Sequence, residues 1–406
     1  MSSATPAATS FDVESFRAAF PSLQSGIAHF DGPGGTQTPA VVGEAIVRTL
    51  TGPLSNRGSR VGSERNADDA VAGFRAAYAD FLAVPAEGIV FGRSATQLTY
   101  DFSRHLARTW APGDDVVVSR LDHDANVRPW IQAAEAVGAS VRWLEIDPGT
   151  GDLDPASVEQ AITERTVLVA VTAASNLIGT RPDVAALAAR VHGVGGLVYV
   201  DGVHAAAHTL IDVPALGADL FVCSPYKFFG PHCAVLAASP DLLGTLHPDK
   251  LLPSTNVVPE RFEFGTLPYE VMAGATAAVD FIASRGSGDT RRDRLASASA
   301  AIDERETALR ERIETALVGM GAVIHSRAAR RTPTVLATFP GRSVAEASAF
   351  LAARDVLAPS GTFYAHEPAV ALGLDDEGGL RLGVAAYTSD DDVDRLVAGL
   401  HDYLAG

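Results

Sequence analysis

The chain has 406 residues, 47% of them hydrophobic, and a formal net charge of −17 at pH 7. That length exceeds one ordinary core, so two domains are expected, and the acidity argues against nucleic acid or an anionic membrane surface as a partner. The two cysteines, Cys223 and Cys233, give no disulfide framework and suit a reducing cytoplasm, and neither an apolar run of about 18 residues nor a signal peptide is apparent.

Residues 1–10 are small and polar and read as a loose tail. Beyond them, apolar runs of strand length alternate with helical patterns, the arrangement that builds a parallel sheet covered on both faces. Strands are expected at 88–91, 115–119, 140–146, 167–173, 197–200 and 220–223, and helices at 95–108, 126–137, 155–163 and 183–192. A further short strand is expected at 261–263, then an apolar helix at 269–284 and a charged one near 291–317. The last stretch alternates strands at 334–339 and 380–385 with helices at 344–353 and 390–404, and reads as a compact α+β unit. The expected division is an N-terminal segment over 1–28 packing on the small domain, a large domain over 29–285 and a small domain over 286–406.

Lys227 ends an apolar run and stands among Tyr226, Phe228 and Phe229. Desolvation there favours the neutral amine, the form that makes a Schiff base with a carbonyl compound; the competing reading is an ammonium that snorkels to water. One strand earlier, the apolar run 196–200 stops at Asp201, which alone would read as a cap or turn residue. Together the two fit a pyridine ring, with its aldehyde carbon at Lys227 and its nitrogen kept protonated by Asp201. This is the chemistry of pyridoxal phosphate, an electron sink for a carbanion at a substrate's α-carbon. His123, Asn176, Asp201 and Lys227 all follow expected strands, where ligands of such sheets bind.

From about Phe30 onward the chain resembles the class V pyridoxal-phosphate enzymes of fold type I, in the cysteine desulfurase-like group. The matching stretches are Phe30-Asp31-Gly32-Pro33-Gly34-Gly35-Thr36-Gln37, His123 to Trp130, Ser175-Asn176-Leu177-Ile178-Gly179-Thr180, Val200-Asp201-Gly202-Val203-His204, Ser224-Pro225-Tyr226-Lys227 and Arg261-Phe262-Glu263-Phe264-Gly265-Thr266. The resemblance implies an α/β fold with a large, mostly parallel seven-stranded sheet and a small C-terminal α+β domain, and pyridoxal 5'-phosphate as cofactor. It implies that the turn at Ser94-Ala95-Thr96 holds the cofactor phosphate with Ser224, that His123 stacks on the ring and exchanges protons with substrate, and that Asn176 and His204 meet the ring's phenolic oxygen. His204 stands where desulfurases usually have glutamine, and Tyr226 where they often have histidine. Gly265-Thr266 resembles a segment that crosses a dimer interface to the partner's cofactor, so a homodimer with shared sites is expected. Arg381 matches the arginine that takes the substrate carboxylate, against the alternative of a salt bridge to one of residues 390–392; Asn56 and Arg57 are weaker candidates for the substrate pocket. No metal site is expected.

Desulfurases of this group carry a sulfur-accepting cysteine on a small-domain loop ahead of that arginine, and the corresponding residues 359–368 contain none. Cys223 and Cys233 read as packing residues. The favoured reaction is therefore β-elimination from a sulfur-bearing or similar amino acid, with transamination as the alternative and racemisation or a non-catalytic binding role behind it.

Overall fold

The computed structural model describes residues 11–374 and 377–406, so the tail expected at 1–10 lies outside the described residues. Seven strands form one sheet: β1 (Ile89–Gly92), β2 (Asp115–Ser119), β3 (Ser140–Leu144), β4 (Thr166–Thr172), β5 (Leu197–Asp201), β6 (Leu220–Cys223) and β7 (Ala234–Ala238). Their order is β1-β7-β6-β5-β4-β2-β3; β7 runs antiparallel to both its neighbours and the other pairs are parallel. The architecture is the expected α/β class with a mostly parallel seven-stranded sheet.

Both faces of this sheet are covered, which is why its strands read as unbroken apolar runs. Successive side chains alternate between two cores. Val117, Val169, Val171, Val198, Val200 and Phe221 face one core, closed by Phe74 and Tyr78 of α2 (Gly62–Leu82) and Met272 and Val279 of the helix Tyr269–Ala283. Val116, Val118, Leu168, Ala170, Tyr199 and Val222 face the other, closed by Phe102 of α3 (Ala95–Ala107) and Trp130 of α4 (Arg128–Val137). Burying side chains of this size contributes about 1.5–3 kcal/mol each. Gly202 marks a tight spot beside β5, where a Cβ would come within 1.8 Å of the Phe221 ring.

One strand is unexpected and two expected elements differ. The strand β7 is not among those anticipated, because its Ala-Val-Leu-Ala-Ala sequence has low intrinsic strand preference and is made a strand by pairing between β1 and β6. The strand at 140–146 stops at Leu144, since Ile146–Asp147 pairs instead with Asp152–Leu153. The strand expected at 261–263 is a 3-10 turn over Glu260–Phe262. Its place at the outer edge of β1 is taken by a side chain: Glu263 accepts the Phe91 N–H at 2.9 Å and pairs with Arg75 at 2.8 Å. Capping a sheet edge this way blocks further strand pairing.

A second, antiparallel sheet holds β8 (Val323–Ile324), β9 (Thr334–Thr338), β10 (Ser360–Gly361) and β11 (Gly379–Gly383) in the order β8-β9-β11-β10. It packs on Leu309, Ile313 and Leu317 of the long helix α6 (Arg291–Gly319) and on Val393, Leu396 and Leu400 of α7 (Asp390–Ala405), taking α5 as Tyr269–Ala283 and α1 as Ala40–Thr51. The short strand Ala28–His29 pairs with Val356–Leu357. Among the described residues no helix is long and apolar enough to cross a membrane.

Candidate active site

The carboxyl ends of the parallel strands deliver the polar groups to one place. A small cavity of about 90 Å³ beyond β5 and β6 is lined by Ser94, Ala95, Thr96, His123, Asn176, Asp201, His204, Ser224, Tyr226 and Lys227. It adjoins an outer crevice of about 760 Å³ to which Pro33, Tyr100, Phe363, Tyr364 and Arg381 also contribute.

Lys227 lies at the end of a 3-10 turn after β6 and is buried. Its ammonium donates to the Pro33 carbonyl. Burial, aided by the nearby Arg381 charge and opposed by Asp201, lowers its pKa from 10.5 to about 7. Asp201 ends β5; its carboxylate accepts the Val203 N–H at 2.8 Å. Burial raises its pKa to about 6, opposed by that hydrogen bond and by Lys227. His123 accepts the Ala125 N–H at Nδ1, 3.0 Å away, which leaves the ring proton on Nε2. Burial, then Lys227 and Arg381, push its pKa down to about 4, so the ring is neutral at pH 7.

Arg381 extends from β11 into the outer crevice and is buried. Its guanidinium donates to the Asn176 carbonyl at 3.0 Å and lies 3.6 Å from the centroid of the Phe363 ring, while its Nε is buried with no partner among the described residues. Burial lowers its pKa to about 9, partly offset by Asp31, and it still carries its charge at pH 7. The salt bridge weighed for it does not form: Asp392 pairs with Arg17, and Asp390 with Arg305 and Arg312.

Ser94 caps α3 by accepting the Gln97 N–H at 3.1 Å, so its hydroxyl is both a cap and a wall of the cavity. The remaining first-turn amides of α3 have no intrahelical acceptor, which is an anion-binding arrangement. Ser224 makes no side-chain capping bond. Asn176 donates to the Phe363 carbonyl at 3.0 Å, and among the described residues its Oδ1 and His204 Nδ1 are both buried without a partner. Tyr226 stacks on His232 with ring centroids 4.9 Å apart.

Asn56, Arg57, Gly265 and Thr266 are not brought to this crevice within one chain. They line a separate groove of about 460 Å³, where Arg57 pairs with Asp68 at 2.6 Å and Glu260 at 3.1 Å. Another cavity, of about 530 Å³, is walled by Arg181, Asp183, Asp303 and Arg330 and includes none of the expected residues.

The structure also places residues that the sequence did not single out. Tyr364 stacks on His123 at 5.7 Å, and both Phe363 and Tyr364 adopt left-handed backbone angles of +54° and +58°. Such angles in consecutive aromatic residues are costly and mark a site held by its surroundings. Asp122 lies fully buried near Asp201, with its carboxyl pushed well above its usual range by burial and its Oδ1 accepting from Asn126 at 2.7 Å. The sequence sets Asp122 next to His123 but does not say that Asp201 lies near it. The cysteines are both buried, and burial raises both thiols far above their usual range. Among the described residues no cluster of histidine, cysteine and carboxylate groups is arranged to hold a metal.

Comparison with known proteins gives one consistent result. The sequence pattern of the aminotransferase class-V family matches residues 28–396. A cysteine desulfurase of Dickeya dadantii is 30% identical over 414 residues, covering 96% of each chain, and an aminotransferase-like protein, FGM3, of Gibberella zeae is 29% identical over 415 residues, covering 97% of this chain and 98% of its own. The crystal structure of the cysteine desulfurase CsdA from Escherichia coli superimposes with a TM-score of 0.86 at 25% identity, over 98% of this chain and 99% of that one.

Proposed function

The chain belongs to the class-V aminotransferase family and is a pyridoxal-5'-phosphate-dependent enzyme of the cysteine desulfurase-like group, and from that premise we propose that it eliminates a β-substituent, sulfur or a similar leaving group, from an amino acid. The observation that carries the amino-acid reading is Arg381, a buried guanidinium with no carboxylate partner among the described residues, sharing a crevice with Lys227 and His123. Its planar fork suits an α-carboxylate.

The residues present fit the cofactor. Asn176 Oδ1 and His204 Nδ1 are buried polar atoms that lack partners among the described residues, as groups awaiting a ligand would. In this reading Ser94, Ala95, Thr96 and Ser224 hold the phosphate, Asp201 holds the ring nitrogen, His123 covers the ring, Asn176 and His204 face its phenolic oxygen, and Lys227 anchors its aldehyde carbon. When bound, the cofactor supplies an electron sink for the pair left at Cα by loss of a proton. Lys227, with a pKa near 7, is suited to take that proton from Cα at neutral pH. Arg381 orients the substrate so that the bond to be broken is held in a productive direction. Phe363 and Tyr364 form one wall of the crevice. The net reaction consumes one water and yields pyruvate, ammonia and the protonated leaving group from a β-substituted alanine.

Elimination is favoured over protein persulfide formation because residues 359–368 contain no cysteine and the two thiols of the chain are buried with their ionisation suppressed. The test is a panel of β-substituted amino acids, with pyruvate, ammonia and leaving group expected in equal amounts, and with the Cys223→Ser, Cys233→Ser double variant as active as wild type. A keto acid that keeps its β-substituent would establish transamination instead. A persulfide on Cys223, lost together with activity in the double variant, would establish a desulfurase with a relocated nucleophile. Borohydride reduction should attach the cofactor to Lys227 and to no other lysine.

A homodimer with shared sites belongs to the same proposal. Leu251, 71% exposed, lines the groove of Arg57, Gly265 and Thr266, and its chain neighbours Leu252, 97% exposed, Val257 and Phe264 are exposed too. Val47 and Leu50 of α1 are also exposed. Apolar groups gathered this way fit a second copy of the chain.

A further inference from the structure

His204 follows β5 and is almost wholly buried. Its Nε2 lies 2.9 Å from the Thr332 hydroxyl and 3.1 Å from the Thr334 hydroxyl, and its Nδ1 meets no protein group among the described residues. Both threonines are buried. The Thr332 hydroxyl has a second acceptor, the Gly179 carbonyl at 3.4 Å, whereas His204 Nε2 is the one hydrogen-bond partner of the Thr334 hydroxyl among the described residues. A buried hydroxyl proton without an acceptor is costly. Thr334 therefore donates to Nε2, whose lone pair faces it, and the proton of a neutral imidazole must then reside on Nδ1.

The surroundings hold this arrangement. Thr334 is paired opposite Gly383 in the same ladder that pairs Leu336 with Arg381, so one strand pair delivers both the threonine and the guanidinium. Gly179, at φ +74°, lets Thr332 approach; a Cβ there would meet the Thr332 hydroxyl at 2.8 Å. On the other side of His204 the ring of His208 packs edge-on with centroids 5.0 Å apart, and its Nδ1 is fixed by Glu306 at 2.8 Å. Burial, with His208, Lys227 and Arg381, keeps the pKa of His204 well below its usual range, so the ring is neutral and its tautomer decides what it offers.

We propose that Thr334 is a positioning residue that fixes His204 as the Nδ1–H tautomer, so that the ring donates a hydrogen bond to the phenolic oxygen of bound pyridoxal phosphate. This rests on the reading above that sets His204 beside that oxygen. A wrong tautomer would place a lone pair against an oxygen lone pair.

Two measurements separate the parts. Nitrogen NMR of histidine-labelled, cofactor-free protein at neutral pH, with the His204 signals assigned by their absence in His204→Gln, should show Nδ1–H in wild type. Thr334→Val should convert it to Nε2–H, donating to Thr332, and Thr334→Ser should restore Nδ1–H. An Nε2–H ring in wild type, or no change in Thr334→Val, overturns the proposal. In the loaded protein, the pH at which the visible absorption band changes should move by about one unit in Thr334→Val, a tenfold change in the proton equilibrium, and return in Thr334→Ser. If the tautomer behaves as stated but the absorption titration is the same in wild type, Thr334→Val and His204→Gln, then the contact between His204 and the cofactor is what fails.

Discussion

Burial lowers the pKa of Lys227 from 10.5 to about 7, which makes the stability of the cofactor-free protein depend on pH through this one residue. Between about 7 and 10.5 the unfolded chain holds a proton that the folded chain has released, so stability rises with pH across that window and the penalty is complete below it. The cofactor-free Lys227→Met variant should accordingly melt a few degrees above wild type at pH 7, with the gap closing as pH approaches 10.5; a gap constant with pH would contradict the buried-ammonium account. For Asp201 the expected effect is on chemistry: Asp201→Asn should fold as wild type and lose about a hundredfold in kcat, about 2.7 kcal/mol of barrier. Turnover within about threefold of wild type would remove its electronic role. Lys227 and Asp201 were legible because each breaks an apolar run with a charge. Tyr364, Asp122 and Thr334 were not, because nothing local distinguishes them from ordinary loop, cap or strand residues until distant segments meet.

The loop that carries Phe363 and Tyr364 is fastened to the large sheet by Glu367, whose buried carboxylate receives Arg120 from the end of β2 and Arg128 from α4. Removing a buried partner strands the charges it paired, though both arginines are partly exposed and the loss is correspondingly screened. Glu367→Gln should loosen the loop and raise KM about tenfold, equivalent to about 1.4 kcal/mol, with a smaller change in kcat; unchanged KM would show that the loop is held by other contacts. At this scale the parallel strands and their following helices were readable from uninterrupted apolar runs and helical spacing. The strand β7 and the turn at Glu260–Phe262 were not, since one is imposed by its two neighbours and the other results from the Glu263 side chain occupying the sheet edge. The left-handed angles at Phe363 and Tyr364 carry no sequence mark, because glycine is absent where such angles would signal it.

For the whole molecule, Arg57, Gly265 and Thr266 line a groove apart from the crevice of Lys227, and the proposed homodimer would have a second copy complete the site. Mixing inactive Lys227→Ala subunits with inactive Thr266→Trp subunits should restore about a quarter of wild-type activity, since about half the dimers are hybrids and each carries one intact site. Activity that stays at zero in demonstrated hybrids would refute shared sites. The order of the groups along the chain has a temporal consequence. Lys227 contacts Pro33, 194 residues earlier, and Arg381 contacts Asn176, 205 residues earlier, so the pocket has no locally assembled precursor. At synthesis rates of about 5–20 residues per second, the ribosome works for on the order of ten seconds after making the lysine before it makes the arginine. Throughout that interval every residue assigned to the cofactor has been made while the arginine assigned to the substrate has not, so the crevice stands open on one side and amino-acid capture waits for the small domain.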